Sequence, residues 1–212
     1  MTPTLNANPI PNILTGLRLI AGVVMFLILA GATGGVPVLS AYLSPEDQFG
    51  LYRAAFFIFV IAASTDWIDG WLARRWNATT RWGAILDPIA DKILVTGAIL
   101  GVLTSGSAPQ IAIPCGLILF REFAVSALRE TVAGKVKLEV TLLAKWKTTL
   151  QLVALGAQLW ARNWDSMGLS FIQLEQFQLF ADVLIWAAAV VTLWTGWQYF
   201  DKARRKMKGA GA

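Results

Sequence analysis

The sequence predicts an all-α, polytopic membrane protein of six transmembrane helices, and three observations carry that prediction. Apolar residues make up 56% of the 212-residue chain and charged residues only 15%, against about half and about a quarter in soluble domains. The apolar residues gather into six stretches, near 12–32, 51–75, 83–104, 108–129, 143–162 and 178–201, each close to the roughly 20 residues a helix needs to cross the hydrocarbon core. The connections between them alternate in charge: of the 18 basic residues, all but Arg53 and Arg162 fall on one side. By the positive-inside rule that side, with both termini, is cytoplasmic. The chain reads as one membrane domain over 1–212, with an N-terminal segment at 1–11 and a basic tail at 202–212.

Composition also narrows the chemistry. There is no histidine, which excludes a histidine base, a phosphohistidine and a His-liganded metal, so general-base work falls to a carboxylate or a lysine. The single cysteine, Cys115, lies in an apolar run and reads as a small buried hydrophobe. The cytoplasmic side carries a net positive charge and the other a net negative one, as expected of a surface that meets anionic head groups or phosphorylated substrates. No nucleic-acid partner is expected.

The first stretch follows Pro9-Ile10-Pro11-Asn12, with Asn12 a candidate cap. Asn12, Thr15, Leu19 and Gly22 share a helical face, with Arg18 beside it. Two readings fit this strip: a cap with an Arg snorkelling to the interface, or a polar lining for a cavity mouth. A third treats Arg18, the apolar run and Ala30-Gly31-Ala32 as an imitation of a signal peptide; apolar character begins too early, near Ile13, to favour it. Residues 33–50 contain no basic residue and many turn formers, and read as an outside connection.

The informative stretch is 66–91. Asp66 and Asp69 are three residues apart at the end of the second span, while Gly83, Asp87 and Asp91 follow at intervals of four in the third, which opens after Thr80, a candidate cap. Such spacings align side chains on single helix faces. Gly70 and Ala73 are small enough to let a ligand approach the backbone, and Pro88 removes one helical hydrogen bond and predicts a kink beside the carboxylates. An ionised carboxylate in an apolar helix requires a partner, a cavity or an ion. Salt bridges to Arg74, Arg81 or Lys92 would account for one or two of these acids. Four at these spacings point to a hard, oxygen-rich site for Mg²⁺ or Mn²⁺, two ions in number, which bind through carboxylates together with substrate phosphates. A cation-conducting path would instead spread its acids through the bilayer depth, whereas these gather near one interface.

In the fourth span Arg121 and Arg129 are eight apart and share a face, and Lys145 and Lys147 open the fifth from the same side. These cations suit either a phosphomonoester dianion or lipid head groups. Residues 163–177 offer no signal. The sixth span carries Trp186, Trp194 and Trp197, as interfacial anchors do, and ends in the basic run D-K-A-R-R-K-M-K.

The pattern D66-x-x-D69-G70-x-x-A73-R74, eight residues, then G83-x-x-x-D87-x-x-x-D91 resembles, residue for residue, the signature of the CDP-alcohol phosphotransferases. The similarity extends to P11-N12-I13-L14-T15-G16-L17-R18, L86-D87-P88-I89-A90-D91-K92, R121-E122-F123-A124-V125-S126-A127-L128-R129-E130 and A144-K145-W146-K147-T148-T149-L150-Q151. The resemblance implies a six-helix fold, a homodimer in the bacterial inner membrane, and a Mg²⁺-dependent site at the cytoplasmic helix ends. The group moved would be the phosphatidyl of CDP-diacylglycerol, onto sn-glycerol 3-phosphate with release of CMP. Siblings that use phosphatidylglycerol, serine or inositol phosphate as acceptor share the signature. On this resemblance Asp66, Asp69, Asp87 and Asp91 are metal ligands, with Asp91 also the general base. Asn12, Thr15, Asp66, Gly70, Ala73, Arg74 and Gly83 would line the CDP moiety, and Arg121, Arg129, Lys145 and Lys147 the acceptor phosphate.

Overall fold

A computed structural model describes residues 10–35, 37, 41–76, 81–105, 109–132, 142–164 and 171–209. Among the described residues there are six α-helices: α1 (Ile10–Ala32), α2 (Pro45–Trp76), α3 (Arg81–Thr104), α4 (Ala112–Val132), α5 (Leu142–Ala161) and α6 (Phe171–Gly209), with a short 3₁₀ turn at Pro109–Ile111 before α4. All six predicted spans are helices. Four reach the length and apolar character needed to cross a membrane, over Asn12–Ala32, Pro45–Thr65, Pro109–Thr131 and Gln173–Met207. The other two helices, α3 and α5, carry polar residues along their length: Asp87, Asp91 and Lys92 in one, Lys147, Gln151 and Gln158 in the other.

The helices form two compact units. In the first, α1 packs along both α2 and α3. Polar contacts join Thr15 to Asp87 and Arg18 to Asp91, so residue numbers rise together along α1 and α3 and the two helices run in the same direction. Their backbones approach closely at glycines. A methyl group at residue 97 would lie 2.6 Å from the Gly22 carbonyl oxygen, and one at residue 22 would meet the Leu94 backbone at 3.0 Å. Small residues at such crossings allow main-chain contact between apolar helices, where dispersion rather than water exclusion supplies the attraction. Met25, Leu29, Phe59, Leu94, Ile99 and Val102 fill the core around this seam.

The unit also contains residues 159–169. Arg162 donates from Nη2 to the Val102 carbonyl at 3.1 Å and from Nε to Ser105 Oγ, answering carbonyls at the C-terminus of α3 with a cation. Asn163 donates to the Tyr52 and Leu159 carbonyls, and the rings of Phe56 and Trp160 lie 5.0 Å apart.

Local sequence sets the helix ends. Gly34, at φ 83°, closes α1 in the left-handed conformation. The Gly35 amide then bonds to Ala30 O at 2.7 Å and the Gly34 amide to Gly31 O at 3.2 Å, the two bonds of a Schellman turn. At α2 the Ser44 hydroxyl accepts from the Asp47 amide at 3.2 Å while the Asp47 carboxylate accepts from the Ser44 amide at 3.0 Å, with Pro45 at the first helical position. This capping box starts α2 six residues before the apolar stretch, so 45–50, read above as part of the connection, is helical. Asn12, expected to cap α1, lies inside its first turn, since the helix already begins at Ile10. Thr80 lies outside the described residues. Pro88 sits within α3, which continues unbroken to Thr104.

In the second unit, α4 packs on α6, and the 3₁₀ turn contacts both. Cys115, Ile118, Leu155, Ile185 and Ala188 are buried there, Cys115 as expected. Contacts Gln110–Asp182 and Arg121–Thr195 make α4 and α6 run in the same direction, and α5, through Lys147–Glu122 and Gln158–Asp182, runs opposite to both. Trp186, Trp194 and Trp197 are exposed on the outer face of α6, where lipid would lie. That helix is 39 residues long and carries the basic run to Gly209 without a break.

Gly97→Ala should lower stability in detergent by about 1–3 kcal/mol, because its methyl has no space against Gly22. Gly50→Ala, where nothing lies within 4 Å of the added methyl, should leave the thermal midpoint, followed by tryptophan fluorescence, unchanged or raised.

Candidate active site

The first unit presents two carboxylates of the 66–91 pattern on one face of α3. Asp87 Oδ1 accepts from Thr15 Oγ1 at 2.5 Å, and Asp91 Oδ1 is ion-paired with Arg18 Nη1 at 3.0 Å. The donors are buried, Thr15 to 1% exposure and Arg18 to 2%, whereas Asp87 is exposed and the Asp91 side chain is 45% exposed. Each carboxylate is therefore gripped from the helix interior by a group on α1 while it remains open outward. Burying a guanidinium is costly unless an anion answers it, and Asp91 is such an anion. The sequence reading placed Arg18 beside the polar strip; its partnership with Asp91 appears only in the packing of α1 on α3.

Gly83, also on this face, is buried, and Asn12 is partly so. The backbones of Asp66, Asp69, Gly70, Ala73 and Arg74 fall in the last turns of α2. Their side chains lie outside the described residues. Among the described residues no three acidic or cysteine side chains converge as a metal site; Asp87 and Asp91 stand as a pair.

The second unit holds a separate polar cluster built on Glu122. Its Oε1 accepts from Lys147 Nζ at 2.5 Å, Arg121 Nη1 at 3.1 Å and Gln151 Nε2 at 3.2 Å. Gln151 Nε2 also donates to Thr192 Oγ1 at 2.7 Å, and Arg121 Nη2 to Thr195 Oγ1 at 3.2 Å. Two cations to one anion leave the cluster with a net positive charge, with Arg121 and Lys147 side chains only 10% and 8% exposed. Such an excess in an apolar surround is suited to a bound anion.

The structure thus joins two of the four cations read from the sequence. Arg129, two turns along α4, is exposed and, among the described residues, takes no part in the network. The Lys145 side chain lies outside the described residues. Glu122, Gln151, Thr192 and Thr195 were not singled out by the sequence reading. The available signal was that Glu122 and Gln151 are polar residues within spans, where such groups need partners.

A second amide–carboxylate cluster lies toward the opposite end of this unit: Asp182 accepts from Gln110, Gln158 and Gln178 at 3.1, 2.8 and 2.8 Å. With no charge partner among these donors, it fastens α5 and α6 to the 3₁₀ turn as polar contacts do in apolar bundles.

Fold and site define a polytopic, all-α membrane protein whose helix faces carry exposed carboxylates in one unit and buried cations in the other. A model of the CDP-alcohol phosphatidyltransferase family matches residues 8–194, and the chain belongs to that family. The match includes every aspartate, arginine and lysine named above in the two charged sites. An enzyme of Cereibacter sphaeroides named CDP-diacylglycerol–glycerol-3-phosphate 3-phosphatidyltransferase is 37% identical, over 94% of this chain and 97% of its own length. Enzymes of the same name from Escherichia coli K12 and Haemophilus influenzae are 43% and 40% identical, covering 71% and 69% of this chain and 79% and 75% of theirs.

Removing the shared anion should cost more than removing one of its two cations. Glu122→Gln is expected to destabilise the protein by about 3 kcal/mol, because it leaves Arg121 and Lys147 buried without an anion, and Lys147→Met by clearly less, because Arg121 still answers Glu122. Chemical denaturation of the purified variants measures the difference.

Proposed function

We propose that the chain transfers the phosphatidyl group of CDP-diacylglycerol to sn-glycerol 3-phosphate, giving phosphatidylglycerophosphate and CMP. The observation that carries this reading is the 37% identity to an enzyme named for that reaction, sustained along nearly the full length of both chains. The reading includes a homodimer in the bacterial inner membrane, with both termini and the site on the cytoplasmic side, as the distribution of Lys and Arg indicates.

Asp66, Asp69, Asp87 and Asp91 would hold Mg²⁺, or Mn²⁺, as two ions. The donor chemistry supports this: Asp87 and Asp91 offer hard carboxylate oxygens one helical turn apart, open outward and held in orientation from behind. When bound, the ions would neutralise the pyrophosphate and the charge that develops at phosphorus.

The chain's own residues account for the remaining steps. Thr15 fixes the rotamer of Asp87, and Arg18 that of Asp91. Gly70, Ala73 and Gly83 let the nucleotide lie against backbone, with Asn12 and Arg74 near its polar groups. Arg121, Arg129, Lys145 and Lys147 attract the phosphate of the acceptor. Asp91 takes the proton of the acceptor's primary hydroxyl. That oxygen attacks the β-phosphorus bearing diacylglycerol, the bond from this phosphorus to the bridging oxygen breaks, and CMP departs with the electron pair.

Purified protein in mixed micelles should release CMP only when CDP-diacylglycerol, glycerol 3-phosphate and Mg²⁺ are all present. Release that needs no acceptor, or that prefers serine, inositol phosphate or phosphatidylglycerol, would refute the acceptor assignment. Asp91→Asn should lower turnover by about a thousandfold or more while CDP-diacylglycerol binding stays measurable. Near-normal turnover would remove Asp91 from the role of base.

A further inference from the structure

We propose that Thr195 and Gly196 of α6 are positioning residues that seat the Arg121 guanidinium for the phosphate of the acceptor. The inference rests on the reading above that Arg121 binds that phosphate, and it adds what sets the arginine's place. Both residues lie just beyond residue 194, where the family match ends.

Arg121 reaches from α4 across the backbone of α6. A Cβ at residue 196 would stand 2.9 Å from Arg121 Cγ, 2.9 Å from its Nε and 3.5 Å from its Cδ. The arginine's stem therefore occupies the space that any side chain at 196 would take. The neighbours Trp194 and Trp197 point outward, 61% and 65% exposed, so the gap in the inner surface of α6 falls at the glycine.

The hydroxyl of Thr195 then holds the far end of the side chain. It donates to the Val191 and Thr192 carbonyls at 2.9 and 3.0 Å, which fixes its rotamer and turns a lone pair toward Arg121 Nη2 at 3.2 Å. On the other side Nη1 is held by Glu122 at 3.1 Å. With both terminal nitrogens anchored, the plane of the guanidinium is set before ligand arrives. Arg121 Nε is buried and has no hydrogen-bond partner among the described residues. Packed against Gly196, Nε is closed to ligand, whereas Nη1 and Nη2 each carry a second N–H beyond the bond that anchors it, and those are the donors a phosphate oxygen can take. Preorganised in this way, the fork loses little side-chain entropy on binding, which favours affinity for the acceptor and not for the donor lipid.

The test measures KM for glycerol 3-phosphate and for CDP-diacylglycerol separately, on full-length variants in mixed micelles, with folding monitored by thermal unfolding. Gly196→Ala and Thr195→Val should each raise KM for glycerol 3-phosphate by about tenfold, equivalent to losing one hydrogen bond to a charged group. KM for CDP-diacylglycerol should be unchanged, and Thr195→Ser, which keeps the hydroxyl, should restore the acceptor KM. If Arg121→Ala raises the acceptor KM while folded Gly196→Ala and Thr195→Val do not, the seat is refuted and the phosphate reading stands. If Arg121→Ala leaves that KM unchanged, both are refuted. Equal rises in the two KM values would refute positioning in favour of general distortion. Should Gly196→Ala fail to fold, Thr195→Val, which is nearly isosteric with the native side chain, decides alone.

Discussion

Arg18 and Asp91 face each other from two largely apolar helices, and much of the first unit follows from that pairing. A guanidinium at 2% exposure needs an anion within reach, and an aspartate in an apolar helix needs something to hold it. Each requirement is met by the other only if α1 and α3 come close and in register. Gly22 and Gly97 permit the approach, because main chain rather than side chain forms the contact there. Thr15 repeats the arrangement one turn away on Asp87. Packing seam and polar contacts therefore depend on one another, and a change at either end is felt at the carboxylates.

The second unit meets the same problem with two buried cations instead of one. Glu122 is the anion that makes two buried cations tolerable, and the amide of Gln151 completes its shell. One carboxylate oxygen thus connects α4 and α5, and through Gln151 and Thr192 connects them to α6. Because one anion faces two cations, the cluster retains attraction for a further negative group. Neutral amides around Asp182, by contrast, fasten the helices without leaving net positive charge.

Much of this was legible from the chain. Runs of apolar residues located all six helices, and the spacing of Asp87 and Asp91 put both on one face, because 3.6-residue periodicity depends on local sequence alone. Helix ends were less legible where polar caps extend a helix beyond its apolar portion. Ser44-Pro45-Glu46-Asp47 is a start signal, yet an apolar window passes over it. Partners across helices were the least legible. Periodicity says which residues share a face, not which helix that face meets, so Arg18 could be read as snorkelling and Glu122 passed without notice. Gly196 shows the limit clearly: its role is the absence of a side chain, and that acquires meaning only once Arg121 is seen to fill the space.

The length of α6 bears on how surface charge is felt inside the protein. At 1.5 Å per residue, its 39 residues extend about 58 Å, nearly twice the hydrocarbon thickness. Lys202, Arg204, Arg205 and Lys206 are exposed on that rod, not on a loose terminus, only a few turns from Thr195 and Gly196. Their bearing around the helix axis is locked to that of the arginine seat. One residue inserted between them would turn the basic side chains by about 100° relative to Arg121 while leaving composition and charge essentially untouched. Azimuth, as much as number, is thus a property of this positive segment.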